Sequence, residues 1–193
     1  MLNRVICSVV VVVALAGVCV GGSVWDEGVN GDLSDGFDAP TALSFSAGSN
    51  VVRGDVGRSG LAGGDRDYFR FSLGAGEQLV AIDVLEYGPF DPGFFGIFAG
   101  AQGVDPDVVA GGDLLGFLVI AGDSVGQDIL PVVAEDGQTF VPPLGEGTYT
   151  IWVQQTGDLL TTYGFDFVVV PSGGSGLFLL AGFGLAMRRR RCG

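Results

Sequence analysis

Tyr68-Phe69-Arg70-Phe71-Ser72-Leu73 alternates strictly between two sets of side chains. Successive residues of a strand point to opposite faces of a sheet, so Phe69, Phe71 and Leu73 share the face that turns inward. Gly74-Ala75-Gly76-Glu77 then turns the chain, and Gln78–Glu86 reads as a second strand with Val80, Ile82 and Val84 on one face. Further out, Phe94–Phe98 and Leu114–Ile120 read as buried strands whose glycines mark bulges or close approaches. Gly145-Glu146-Gly147 opens Thr148–Gln155, with Tyr149, Ile151 and Val153 inward and Trp152 on the opposite face. Thr161–Val170 alternates again, with Tyr163, Phe165, Phe167 and Val169 inward. No stretch of about ten residues before Pro171 carries a helical period. These runs, bounded by Gly, Pro and Asp, predict an all-β fold: a two-sheet antiparallel sandwich, jelly-roll-like.

Charge and residue usage exclude several chemistries. The chain has 193 residues, 48% of them apolar and 16% charged, with a formal net charge of −13. The 9 basic residues are all arginine, and the 22 acidic residues lie between Asp26 and Asp166. Such a surface repels phosphate backbones, so no nucleic-acid partner is expected. With no histidine in the sequence, Ser-His-Asp and Cys-His catalysis and histidine metal sites are ruled out. Cys7, Cys19 and Cys192 leave Trp25–Val170 free of cysteine, so no disulfide, thiolate nucleophile or cysteine zinc site is available there.

The two ends read as addresses. Arg4, the apolar Val5–Val20 and Gly21-Gly22-Ser23 form a secretory signal peptide over 1–22, with cleavage after Ala14-Leu15-Ala16 or near Gly22. A lipoprotein reading on Cys19 is weaker, because Val18 stands where a small residue is wanted. At the other end Val170-Pro171-Ser172 precedes the uncharged Gly173–Met187 and then Arg188, Arg189, Arg190 and Arg191. As a helix, Gly173–Met187 would span roughly 22 Å, short against a hydrocarbon core of roughly 30 Å. Arginines beyond an apolar segment belong on the cytoplasmic side, which leaves the acidic part outside and agrees with the leader. The organisation expected is therefore a signal peptide over 1–22, an Asp/Gly-rich N-terminal segment over 23–50 that joins the sandwich, a β-sandwich over 51–170 and a terminal signal over 171–193.

A proline motif, a short apolar segment and a terminal arginine cluster resemble the PEP-CTERM sorting signal of proteins exported by Gram-negative bacteria. Val170-Pro171 matches the start of the usual Val-Pro-Glu-Pro motif, with Ser172 and Gly173 in place of Glu and Pro. The resemblance implies processing by an exosortase near the proline motif and transfer towards the cell surface or extracellular matrix. Gly64-Asp65-Arg66-Asp67-Tyr68-Phe69 is similar to the Gly-Asp-x-Asp-Tyr-Phe opening of pre-peptidase C-terminal (PPC-like) sandwich domains. Gly145-Glu146-Gly147-Thr148-Tyr149-Thr150-Ile151-Trp152-Val153 resembles their late Gly-Thr-Tyr strand. That likeness implies a secreted accessory or surface module, in which related sandwiches bind Ca²⁺ near such loops.

Candidate site residues divide into two groups. Asp26, Glu27, Asp32, Asp35 and Asp38 crowd the N-terminal segment, and Asp65 and Asp67 flank the first clear strand. Turns rich in Asp and backbone carbonyls supply the oxygens that Ca²⁺ requires. Asp65 and Asp67 are the metal candidates, set against solvated turn aspartates and against pairing with Arg66 or Arg70. No other cofactor is indicated. Trp25, Tyr87 and Trp152 are candidates for stacking on sugars, set against plain packing; Trp25 and Trp152 are the ligand candidates.

Paired carboxylates hydrolyse glycosides in other proteins, but among 22 acids some pair is always suitably spaced. Ser59, Ser72, Ser124 and Ser172 lack a nucleophile-elbow context, and Gly63-Gly64 and Gly111-Gly112 precede no phosphate-loop lysine. The expectation is a non-catalytic, structural or adhesive surface protein. The alternatives are a carbohydrate- or calcium-binding module and, third, a small carboxylate-dependent hydrolase. Its expected partners are the export machinery, an exosortase-like enzyme, the membrane before processing and extracellular polysaccharide.

Overall fold

Among the described residues, nine strands and two short α-helices follow one another in the order β1 (Ser23–Asp26), α1 (Glu27–Asn30), β2 (Thr41–Ala42), β3 (Gly48–Val56), β4 (Arg66–Leu73), β5 (Glu77–Gly88), β6 (Gly93–Ala99), β7 (Gly116–Ile120), α2 (Leu130–Gly137), β8 (Gly147–Gln155) and β9 (Thr161–Pro171), with a 3-10 turn at Gly122–Ser124 between β7 and α2. This computed structural model describes residues 23–57, 64–89, 92–108, 113–137, 139–155 and 160–172. The expected signal peptide, the apolar segment Gly173–Met187 and Arg188–Arg191 lie outside the described residues. No helix among the described residues is long and apolar enough to cross a membrane.

The strands form two sheets, ordered β1-β3-β9-β5 and β2-β4-β8-β6-β7. Both sheets are mixed, which corrects the antiparallel expectation: β1 pairs with β3, and β2 with β4, in parallel. The long strands are antiparallel to their neighbours. The parallel pairs are short edge strands contributed by the segment over 23–50. The last residues of that segment, Gly48–Asn50, begin β3.

Between the sheets, Phe69, Phe71, Ile82, Val84, Ile151, Phe165 and Phe167 are buried in one apolar cluster. Phe167 lies edge-on to Phe69 and Phe165 and tilted against Phe71. The inward faces of β4, β8 and β9 follow the alternation of the sequence. In β5 the phase slips: Leu79, and not Val80, is buried, because bulges at Leu79/Ala81 and Val84/Glu86 each shift the register against β9. A bulge adds one residue to one strand and so turns the following side chains over.

Sheet β2-β4-β8-β6-β7 also buries much of its outer face. Tyr68, Phe98, Leu114 and Trp152 form a second apolar cluster, flanked by Phe37, Phe94, Val104 and Phe117. On the inner side, α2 covers β7 with Leu130 and Val133 in the main core, and a Cβ on Gly116 would meet the Val133 carbonyl oxygen at 2.1 Å. Only glycine lets helix and strand approach so closely.

Candidate functional site

The inner face of β4 runs Leu73, Phe71, Phe69 and then Asp67, which is 0% exposed. An ionised carboxylate in such a place is costly unless it finds partners. Tyr163, on the neighbouring sheet, donates its hydroxyl to Asp67 Oδ2 at 2.6 Å. Asp67 Oδ1 is buried and has no hydrogen-bond partner among the described residues. This corner of the sandwich is closed by the segment from β1 to β2.

Glu27 brings that segment in. Asp26 caps α1 by accepting from Gly28 N at 3.0 Å, which sets Glu27 at the start of the helical turn. Its Oε1 accepts from Leu33 N at 2.9 Å and its Oε2 from Asp55 N at 2.7 Å, so one carboxylate joins α1, β3 and the loop at Leu33. Gly54 makes room for this contact. A Cβ there would lie 2.7 Å from Tyr163 Oη and 2.8 Å from Glu27 Cδ. One carboxylate oxygen each from Glu27, Asp32 and Asp67 lie within 4.8 Å of one another.

The charges acting on these groups are carboxylates. Burial, followed by the charge of Glu27, pushes the Asp67 carboxyl up to about 9 against the lowering effect of the Tyr163 hydroxyl. Burial, followed by Asp32, Asp35, Glu27 and Asp55, pushes Asp65 up to about 7. Glu27 is raised by burial, although the N–H groups of Leu33 and Asp55 oppose this. The Tyr163 phenol is raised well above its ordinary value by burial and the adjoining Asp67.

Of the two metal candidates, Asp67 belongs to the converging trio. Asp65 stands beside it, bridged through its backbone to Gly57 and coupled to the trio by charge. The trio is completed by Glu27 and Asp32, residues of the acidic crowd that composition alone did not single out. Among the described residues neither arginine side chain hydrogen-bonds the trio: Arg66 lies beside Trp152 and Gln154, where its charge acts on Tyr68, and Arg70 Nη1 reaches the Ala101 carbonyl at 3.4 Å. Protons or a cation can compensate this corner. Three converging carboxylates form an all-oxygen set suited to a hard cation. Oxygens bound to one Ca²⁺ at roughly 2.3–2.6 Å lie at most about 5 Å apart, which the trio already satisfies.

The aromatic candidates are placed differently. Trp152 is 5% exposed, stacked with Tyr68 and tilted against Phe94 at a centroid distance of 4.5 Å. The faces that stacking on a sugar would use are taken by other rings, so packing accounts for Trp152. Trp25 packs half-buried against the main core and donates its indole N–H to the Gly31 carbonyl at 3.0 Å. Tyr87 is buried in the main core. Among the sorting residues, Val170 and Pro171 end β9, opposite Gln78 and Glu77.

No protein-family model matches this chain, and no curated protein matches it. The assignment of a role therefore rests on the corner itself.

Proposed function

We propose that this protein is an exported, non-catalytic β-sandwich of the cell surface or extracellular matrix, structural or adhesive in role, whose acidic corner is closed by Ca²⁺. The observation that carries the reading is the buried Asp67 oxygen without a hydrogen bond, set among Glu27 and Asp32. Glu27, Asp32 and Asp67 would hold the ion, and its charge would replace the protons that these carboxyls otherwise need. Since Glu27 already ties the N-terminal segment to β3, the same ion would lock that segment onto the sandwich.

Export and sorting are supported by the leader-like 1–22 and by the Pro171, apolar and Arg188–Arg191 succession, which resembles a PEP-CTERM signal. The strand sequence supports the jelly-roll reading. β3, β5 and β9 lie in one sheet and β4, β6, β7 and β8 in the other, while Leu144 bridges to Leu79 where a further strand would complete the first sheet.

The test is thermal melting and titration calorimetry of the secreted protein with Ca²⁺, Mg²⁺ and chelator. Calcium at about a hundred times its dissociation constant adds about 2.7 kcal/mol to stability, so the melting temperature rises with Ca²⁺. Asp67→Asn removes the rise. A melting temperature indifferent to millimolar Ca²⁺, with no binding heat, refutes the calcium role. Intact mass of the cell-surface fraction tests the sorting role: a chain that ends near Pro171 supports it, and one that retains Arg188–Arg191 refutes it.

A further inference from the structure

A second site lies at the other end of β4, on the outer face of the sheet. Arg70 and Ser72 point outward there, with Thr150 and Thr148 opposite them on β8. The Ser72 and Thr148 hydroxyls are 2.9 Å apart and exposed. Beside them, a cleft of about 460 Å³ is lined by Ser44, Phe45, Arg70, Phe71, Ser72 and Thr148, among others. A second cleft of about 480 Å³, lined by Asp38, Gly100 and Gln102, shares Arg70 and Ala101 with the first. The two clefts adjoin at Arg70 and Ala101, and the first borders Ala42 of the short edge strand β2.

The lining has the chemistry that reads a sugar. Phe45 lies parallel to Phe71 with ring centroids 4.3 Å apart and remains half-buried, so part of its ring borders the cleft. An aromatic surface with a few well-placed polar groups is the usual construction of a small-ligand site. Arg70 offers a fixed fork of donors, and its side-chain hydrogen bond among the described residues, to the Ala101 carbonyl at 3.4 Å, is long. Ser72 and Thr148 offer hydroxyls that donate or accept, and Asp38, a carboxylate residue, lines the second cleft. The net charge of −13 and that carboxylate oppose an anionic chain.

We propose that these adjoining clefts bind a neutral glycan segment, with a pyranose ring against Phe45 and its hydroxyls shared among Arg70, Ser72 and Thr148. The site is separate from the acidic corner, so it stands or falls independently of calcium.

The experiment uses the ¹⁵N-labelled secreted protein with neutral hexasaccharides of glucose, mannose, xylose and N-acetylglucosamine, and with hexagalacturonate as the acidic counterpart. A neutral hexasaccharide is expected to shift the backbone amides of Arg70–Ser72, Ala101 and Thr148. Arg70→Ala weakens that binding about tenfold with an unchanged melting temperature, and Thr148→Val weakens it less. Arg66→Ala, which removes the same charge at the opposite end of β4, leaves the affinity unchanged. The proposal is overturned if no neutral hexasaccharide shifts these amides at millimolar concentration, if only hexagalacturonate does, or if Arg70→Ala and Arg66→Ala act alike.

Discussion

The two faces of β4 and β8 are made by the same strands and are both buried over much of their length, yet they are finished differently. On the inner face, Phe69, Phe71, Tyr149 and Ile151 meet the opposite sheet, and the rings of Phe165 and Phe167 fill the space between. On the outer face, Tyr68 and Trp152 are covered by loop residues such as Phe37 and Val104. There Tyr68 Oη, Trp152 Nε1 and Arg66 Nε are all buried without a hydrogen-bond partner among the described residues. Such groups cost about 1–3 kcal/mol each relative to a satisfied state. The inner face is thus the source of stability, whereas the outer face gives some of its burial energy back.

The largest test of that contrast is Phe167→Ala. Phe167 touches rings from both sheets, so its loss leaves a cavity worth about 3–5 kcal/mol. Urea unfolding should show the loss as a lower midpoint, and a change below about 1 kcal/mol would mean that the inner face is not the main support.

An intermediate effect is expected from pH, since Asp67 interrupts the inner face at its end. Asp67 and Asp65 are raised from the ordinary 3.8 to about 9 and about 7. Between those limits the folded protein holds protons that the unfolded chain has lost. Stability in chelator therefore falls as pH rises from about 4 through 7 and on towards 9. Unfolding midpoints measured across that window should decline, with a shallower decline in Asp67→Asn and a restored midpoint when Ca²⁺ is added at the alkaline end. A midpoint that rises with pH would contradict the protonated corner.

The smallest effect belongs to Trp152→Phe. The substitution keeps an aromatic ring between Tyr68 and Phe94 and removes an N–H that has no partner, so it should cost less than about 1.5 kcal/mol. A larger loss in the same urea assay would show that the indole N–H is satisfied after all.

The legible part of this fold is the part where one periodicity rules a whole strand. Phe69-Arg70-Phe71 and Tyr163-Gly164-Phe165-Asp166-Phe167 show their inner faces directly, because a period of two leaves no second choice. β5 was half legible: its bulges are set by pairing with β9, which no local pattern reports. The parallel edges β1 and β2 were invisible, since strands of four and two residues carry too little alternation and take their partners from distant chain. In the candidate site, Asp67 was readable as inward-facing from its spacing to Phe69. Its companions were not, because the contacts of Glu27 with Asp55 and of Asp67 with Tyr163 join residues 28 and 96 positions apart. The outward placement of Trp152 was readable from its neighbours Ile151 and Val153, whereas its cover was not.

The position of β9 carries one more consequence, a mechanical one. This strand is flanked by β3 on one side and β5 on the other along nearly its whole length, and it runs to Pro171, where Ser172 N still donates to the Gly76 carbonyl. Tension applied through the residues after Ser172 would therefore enter the middle of a sheet and not a free edge. Both ladders would bear it together, in shear, so a tug on this end would have to break many hydrogen bonds at once before the sandwich began to yield.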